Sequence, residues 1–136
     1  MREIKVRGWD GKNLLEPQDL TQNGKHWKWL GKKDVLLMQY TGLKDKNGKE
    51  IYEGDIVKSV SELVKLRNGK KTGKYRTEIY YIVYIEKEAR FAIQKRGEEK
   101  HEVFHLSQEI LTEYYEVIGN IYENPELLKG RENGQS

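Results

Sequence analysis

The segment TGLKDKNGKEIYEGDIVK, residues 41–58, places two tight turns between short runs of strand-forming residues. Residues 44–49 carry an Asn-Gly pair at their tip, where a positive φ angle costs least. A second turn at residues 53–55 leads into the β-branched pair Ile56-Val57. A Gly-Asp pair before such a strand is common in small SH3-like barrels, where the chain bends sharply between sheets. The segment therefore predicts short strands that include an SH3-like element.

Strand-like runs continue on both sides of this segment. Residues 2–7 alternate, which predicts a half-buried strand with Ile4 and Val6 on one side and Lys5 and Arg7 on the other.

Residues 79–85 are β-branched or aromatic throughout, which predicts a strand buried on both faces. Residues 14–25 are polar and contain Pro17, so they predict an irregular connection. Further strands are predicted at residues 26–30, 35–40, 91–93, 102–104 and 115–122. The prediction is a mainly β fold in which six to nine short strands form a small, partly closed barrel or sandwich.

One or two short helices complete the predicted fold. Ser107 is a suitable N-cap for a helical turn at residues 107–111, and Pro125 suits the first position of a helix at residues 125–128. The 136 residues fit a single domain, placed at residues 1–128, followed by a disordered polar tail at residues 129–136. The predicted core consists of Ile4, Val6, Ile51, Ile56, Val57, Ile82, Val117, Ile118 and Ile121.

The composition favours a cytoplasmic protein that does not enter a membrane. Cysteine is absent, which fits a reducing compartment. The first residues mix charges of both signs and do not resemble a signal peptide. The longest apolar run, residues 79–85, is far shorter than the roughly 20 residues that a membrane-spanning helix needs.

The charge is distributed unevenly along the chain. Residues 58–76 contain seven Lys or Arg and one Glu, whereas residues 102–126 contain six Glu and no Lys or Arg. Such asymmetry indicates either a site for a polyanion or two segments that neutralise each other.

Three blocks of sequence, at residues 1–10, 37–57 and 115–128, resemble the YopX family of phage- and prophage-encoded proteins. The resemblance implies a mainly β fold and a setting in the cytoplasm of a bacterial host. It implies no catalytic residue and no cofactor. Residues 58–113 carry none of the resemblance.

The three blocks read mainly as architecture, because their glycines stand where turns or close backbone approaches are expected. The polar residues in them that are candidates for lining a site are Gln39, Tyr40, Thr41, Asp45, Glu53, Asp55 and Asn120.

Metal and catalytic chemistry have weak support in the sequence. His101 and His105 are four residues apart but lack a third ligand at a recognisable spacing. Glu53 and Asp55, with Asp45 nearby, resemble the carboxylates of a Mg²⁺-dependent nuclease, yet Asp55 is better placed to bind backbone N–H groups at its own turn. No catalytic residue, metal ligand or cofactor is predicted.

The strongest specific ligand hypothesis is single-stranded nucleic acid. Residues 62–76 predict a long exposed hairpin or mobile loop that is basic and carries an aromatic residue, Tyr75, near one end. Small β-barrels bind single strands by combining cations with stacking rings. The predicted phosphate contacts are Lys70, Lys71, Lys74 and Arg76, and the predicted stacking residues are Trp27 and Trp29.

The leading prediction, with nucleic-acid binding as its alternative, is a non-enzymatic phage or prophage accessory protein. It would assemble as a homo-oligomer or bind a host or phage protein. Opposite charges would set the orientation, and Tyr80, Tyr81 and Tyr84 would supply buried anchors.

Overall fold

Two four-stranded antiparallel sheets make up most of the computed structural model, which describes residues 4–20, 33–65, 67–97 and 113–129. The first sheet has the strand order β2-β1-β3-β4, with β1 at Lys5–Trp9, β2 at Leu14–Asp19, β3 at Leu36–Lys44 and β4 at Glu50–Tyr52. The second has the order β7-β6-β5-β8, with β5 at Asp55–Val64, β6 at Lys71–Ile85, β7 at Arg90–Lys95 and β8 at Tyr115–Asn120. A 3₁₀ turn, Glu86–Glu88, and a short helix, α1 at Glu126–Lys129, complete the described elements.

The mainly β prediction is confirmed, and the arrangement is sandwich-like and not a closed barrel. One hydrophobic cluster joins Ile51 of the first sheet to Val57, Ile82 and Ile93 of the second. Within the described ranges no helix is long and apolar enough to cross a membrane. The strands predicted at residues 26–30 and 102–104 and the helical turn predicted at residues 107–111 lie outside those ranges. So does the predicted tail, apart from Lys129, which belongs to α1.

The chain passes from the first sheet to the second at Gly54, where the sequence predicted a sharp bend. Gly54 has a φ of 86°, in the left-handed region that favours glycine. Its N–H donates to the carbonyl of Ile82 (2.9 Å), and its carbonyl accepts from the N–H of Ile121 (2.8 Å). A Cβ at this position would lie 3.3 Å from Sδ of Met38. The bend is therefore hydrogen-bonded to β6 and to the turn that follows β8, and it is closely packed.

The predicted core is confirmed for its central members and wrong at its ends. Val6, Ile51, Ile56, Val57, Ile82 and Val117 are buried. Ile4, in contrast, is 42% exposed, because it precedes the first residue of β1. Ile118 is only half-buried because it alternates with the inward-facing Val117 on β8. Ile121 is half-buried in the turn that follows β8.

Residues 79–85 were expected to be buried on both faces, and this prediction is wrong. Tyr80 and Ile82 are buried on one face of β6, whereas Tyr81 and Val83 on the other face are only half-buried. Tyr84 shares the face of Tyr80 and Ile82 but is exposed near the end of the strand. Among the described residues, the second sheet shares a core with the first on one side, and no equivalent cluster covers the opposite face of β6.

The irregular connection predicted at residues 14–25 is also wrong for its first half, which forms β2. Pro17 lies within this strand. Its missing N–H is tolerated because β2 stands at one end of the strand order of the first sheet, where a strand needs partners on one side only.

Candidate interaction surfaces

The carboxylate of Asp45 serves the architecture of the turn that contains it. Its Oδ1 accepts from the N–H groups of Asn47 (2.8 Å) and Lys49 (2.9 Å), and its Oδ2 accepts from the N–H of Val117 (2.9 Å). The side chain therefore shapes the β3–β4 turn and ties it to β8. With these three bonds made inside the protein, Asp45 is not directed at solvent.

Asp55 forms a buried ion pair with Arg7. Its Oδ1 accepts from Nη2 of Arg7, and its Oδ2 accepts from the N–H of Tyr52 at 2.7 Å. The second bond confirms that Asp55 binds the backbone of its own turn. Burial raises the pKa of Asp55 above its ordinary value, although Arg7 and the N–H of Tyr52 oppose the shift.

The carboxylates weighed as nuclease-like, Asp45, Glu53 and Asp55, belong to no group of three His, Asp or Glu side chains that could hold an ion together among the described residues. Asp45 faces β8, whereas Asp55 faces Arg7. His101 and His105 lie outside the described residues.

Three of the other polar candidates in the resembling blocks, Tyr40, Thr41 and Asn120, also have structural partners. The Thr41 hydroxyl donates to the carbonyl of Ile51 (2.8 Å), and the ring of Tyr40 lies 5.4 Å from that of Tyr52. The Oδ1 of Asn120 accepts from the N–H groups of residues 122 and 123. A Cβ on the neighbouring Gly119 would lie only 2.4 Å from Oδ1 of Asn124, so this glycine permits a close approach, as the sequence predicted.

The β5–β6 hairpin extends past both of its neighbouring strands. β8 pairs with β5 only from residue 55 to residue 59, and β7 pairs with β6 only from residue 80 to residue 85. We call residues 60–79, all described except residue 66, the arm. Among the described residues no third strand pairs with either edge of residues 60–78, and at residue 79 the carbonyl of Ile79 accepts from the N–H of Arg96 (2.9 Å). Of the two alternatives predicted for residues 62–76, an exposed hairpin or a mobile loop, the exposed hairpin is confirmed.

The arm combines exposed apolar side chains with exposed cations. Val60, Leu63 and Val64 are exposed on β5, and Tyr75 on β6 is 64% exposed. The cations predicted to bind phosphate are all exposed and lie on this arm: Lys70, Lys71, Lys74 and Arg76.

Two of these cations already have acidic neighbours. Lys71 lies 4.0 Å from Glu62, and Arg76 lies 3.6 Å from Glu78. Lys70 and Lys74 form no ion pair with the described residues. Trp27 and Trp29, the predicted stacking partners, lie outside the described residues, so the structure does not bring them together with the arm.

In the part of the chain that the structure describes, the basic and acidic segments meet at the base of the arm. Lys58 of β5 faces Glu116 of β8 across the strand pair, and Glu116 also lies 3.8 Å from Lys46. The pairing with β8 ends at Ser59, so the described part of the acidic segment does not run along the arm.

The tyrosines proposed as interface anchors differ in exposure. Tyr80 is buried against Tyr115, at a ring distance of 5.7 Å, and belongs to the core. The proposal of Tyr80 as an anchor is therefore wrong. Tyr81 is half-buried, and Tyr84 packs edge-on against Phe91 at 5.1 Å. Tyr75, which was not among the predicted anchors, is the most exposed of the large apolar residues described.

A separate cleft of about 360 Å³ is lined by residues of β1, β2 and β4, among them Arg7, Leu14 and Tyr52. The guanidinium of Arg7 lies 4.6 Å from the centre of the Tyr52 ring. Alternation along β1 placed Arg7 opposite the core residue Val6, so its burial was missed. The one feature of the sequence that could have indicated a buried cation is Asp55. This charged residue stands in a turn next to buried positions and therefore needs a cationic partner.

Glu50 and Tyr52 are coupled at the edge of this cleft. Glu50 accepts hydrogen bonds from Nζ of Lys5 (2.6 Å) and from the hydroxyl of Tyr52 (3.0 Å). Burial disfavours the ionised form of Glu50, but these two hydrogen bonds outweigh it and lower the pKa of Glu50. Burial and the bond to Glu50 raise the pKa of Tyr52, so this hydroxyl stays protonated as a donor.

The two antiparallel sheets, the buried ion pair and the extended arm define a small, mainly β protein built as a two-sheet sandwich. A family model described as YopX protein matches residues 3–129, and the chain belongs to this YopX family. It is similar to the crystal structure of protein EF1440 from Enterococcus faecalis, with 28% sequence identity and a TM-score of 0.56. That similarity covers 92% of this chain and 97% of the other. None of the curated proteins compared with the chain matches it.

Proposed function

We propose that this protein is a non-enzymatic binding module that attaches through its arm to another protein, first of all to a second copy of itself. The observation that supports this is that the side chains of Val60, Val64 and Tyr75 are exposed on the arm, which extends past the described neighbouring strands. Exposed strand edges with apolar side chains pair readily with another chain. The buried roles of Asp45 and Asp55 agree with a function other than catalysis.

Two arms are expected to pair about a twofold axis, because a patch that is self-complementary closes as a symmetric dimer. Apolar burial at Tyr75 would supply the affinity, whereas surface ion pairs are individually worth little. The cations of one arm would meet the exposed Glu113, Glu123 and Glu126 of the next subunit and so set the orientation. We further propose that the module serves a bacteriophage or prophage in the cytoplasm of its host, with a host or phage protein as a possible second partner.

The experiment is light scattering coupled to size-exclusion chromatography at micromolar concentration. The wild-type protein is expected to have twice the monomer mass of 16.1 kDa. The double variant Val64→Ser/Tyr75→Ser is expected to move to the monomer mass. The control Leu36→Ser/Leu37→Ser removes two equally exposed apolar side chains from β3 and should leave the assembly intact. A wild-type mass of 16.1 kDa at low and moderate salt would contradict the proposal.

A second candidate function, binding of single-stranded nucleic acid, is favoured by the exposed cations at the end of the arm. Lys70 and Lys74 have no ion-pair partner among the described residues, so their charges are available to phosphates. Nucleic-acid affinity that rests on phosphate contacts falls steeply with salt.

Fluorescence anisotropy with labelled single-stranded DNA and RNA tests this candidate. Binding should weaken when Lys70, Lys71, Lys74 and Arg76 are changed together to Gln, and the salt dependence should become shallower. Changing Lys12, Lys33, Lys87 and Lys129 to Gln removes the same charge from exposed positions elsewhere and is the control. No change in anisotropy at low salt for either nucleic acid would exclude this candidate.

A further inference from the structure

The cleft beside Arg7 contains a cation whose hydrogen-bonding capacity is only partly used. The Arg7 side chain is 7% exposed, and its Nη2 donates to Asp55 and to Sδ of Met38. Its Nε makes no hydrogen bond. A guanidinium carries five N–H donors, and leaving a buried donor unmet costs free energy. Asp55 therefore neutralises the charge of Arg7 without satisfying the group.

The lining of the cleft carries two cations, Arg7 and Lys49, and two carboxylates, Glu16 and Glu50. The carboxylate of Glu50 is engaged by Lys5 and Tyr52, and Glu16 also has its own partner. Lys49 is exposed at the cleft and forms no ion pair with the described residues. Lys49 therefore keeps an unpaired charge among the described residues, and Arg7 keeps an unmet donor.

The walls of the cleft are mainly apolar. Leu14, Leu15 and Pro17 of β2 lie along the cleft, and Tyr52 of β4 contributes an aromatic ring. The volume of about 360 Å³ lies at the small end of the range for small-molecule sites, roughly 300–1,000 Å³. Such sites are typically apolar with a few polar groups that fix the orientation of the ligand.

We propose that this cleft binds a small organic anion with an apolar body. Its carboxylate or phosphate head meets Arg7 and Lys49, and its body packs on Leu14, Pro17 and Tyr52. Planar guanidinium groups suit both kinds of head, because each presents oxygens to paired N–H donors. The site is independent of the arm, so it does not rest on the proposed assembly.

The test is a titration of the isotope-labelled full-length protein, followed by NMR, with three probes of similar shape: phenylacetate, phenyl phosphate and neutral phenylacetamide. The two anions should shift the signals of Leu14, Leu15 and Tyr52, and phenylacetamide should not. The stronger of the two anions identifies the head group. The substitution Lys49→Gln should weaken anion binding by roughly two- to fivefold, as expected for a single exposed charge.

The control Lys12→Gln removes an exposed charge from the β1–β2 turn, outside the cleft, and should leave the affinity unchanged. Replacing Arg7 risks unfolding, so the decision rests on Lys49→Gln and on the neutral probe. Equal shifts with phenylacetamide, an equal affinity in both lysine variants, or no shift of the cleft signals with either anion would overturn the proposal.

Discussion

The β3–β5 segment, residues 36–59, and the arm that follows it show opposite uses of polar and apolar side chains. In the first segment the carboxylates of Asp45 and Asp55 are buried and satisfied by hydrogen bonds within the protein. In the arm, Val64 and Tyr75 are exposed although they are apolar. The comparison indicates that the first segment uses its polar groups to build the fold, whereas the arm presents apolar side chains that the fold leaves exposed.

The largest effect is expected at the buried ion pair. Asp55→Ala would leave Arg7 buried without its counter-charge, and breaking such a pair from one side typically costs about 3–5 kcal/mol of unfolding free energy. Chemical denaturation of the variant measures this loss. The double variant Arg7→Met/Asp55→Ala should recover much of it, because the unpaired charge is gone. If the double variant loses as much stability as the single variants Asp55→Ala and Arg7→Met lose together, the two residues are not coupled.

A smaller loss of stability is expected from truncation in the shared core, and it should depend on position along the strands. Ile82→Ala should lower the free energy of unfolding by about 2–5 kcal/mol, because the side chain is fully enclosed between the sheets. Ile118→Ala should cost less, since Ile118 is only half-buried on β8. Thermal or urea unfolding of both variants checks the order, and an equal loss would show that the second face of β8 is covered after all.

The bend at Gly54 should be more sensitive than the turn at the end of the arm. Gly54→Ala would hold alanine at a φ of 86° and bring its Cβ to 3.3 Å from Met38, so we expect a loss of about 1–3 kcal/mol. The control is Gly69→Ala, which has a similar positive φ but open space around the added Cβ. Urea denaturation of the two variants should show the greater loss for Gly54→Ala; the reverse order would contradict the close packing of the bend.

The smallest effect on stability is expected in the arm. Tyr75→Ser should change the free energy of unfolding of the monomer by no more than about 0.5 kcal/mol, because the ring is largely exposed. Denaturation at the lowest measurable concentration separates this effect from any loss of assembly. A loss as large as that of Ile82→Ala would mean that the ring packs within the monomer.

The local features of the fold could be predicted because their causes are local. The turn at Asp45 follows from an Asp that binds its own backbone and from an Asn-Gly pair, and the bend at Gly54 follows from a residue that tolerates positive φ. The hairpin of the arm was likewise marked by a basic, glycine-containing stretch between two strand-like runs.

The features that depend on distant partners were missed. Period-two alternation separates the two faces of β1 but cannot tell that both are covered, so Arg7 was not assigned to the interior. Tyr80 and Tyr84 are the same residue type on one strand, yet only the position of the other sheet decides that Tyr80 is buried. Pro17 argued against a strand because proline disfavours strands away from a sheet edge. That β2 lies at an edge follows from the strand order, which no local pattern contains.

The central claim is that the arm is open in the monomer and covered in the assembly, and amide hydrogen exchange at two protein concentrations tests it most directly. Residues 36–59 should be protected equally at low and high concentration, since their hydrogen bonds belong to the fold. Residues 60–64 and 71–79 should exchange faster at low concentration and become protected as the concentration rises. Arm protection that stays the same across the concentration range would contradict the claim.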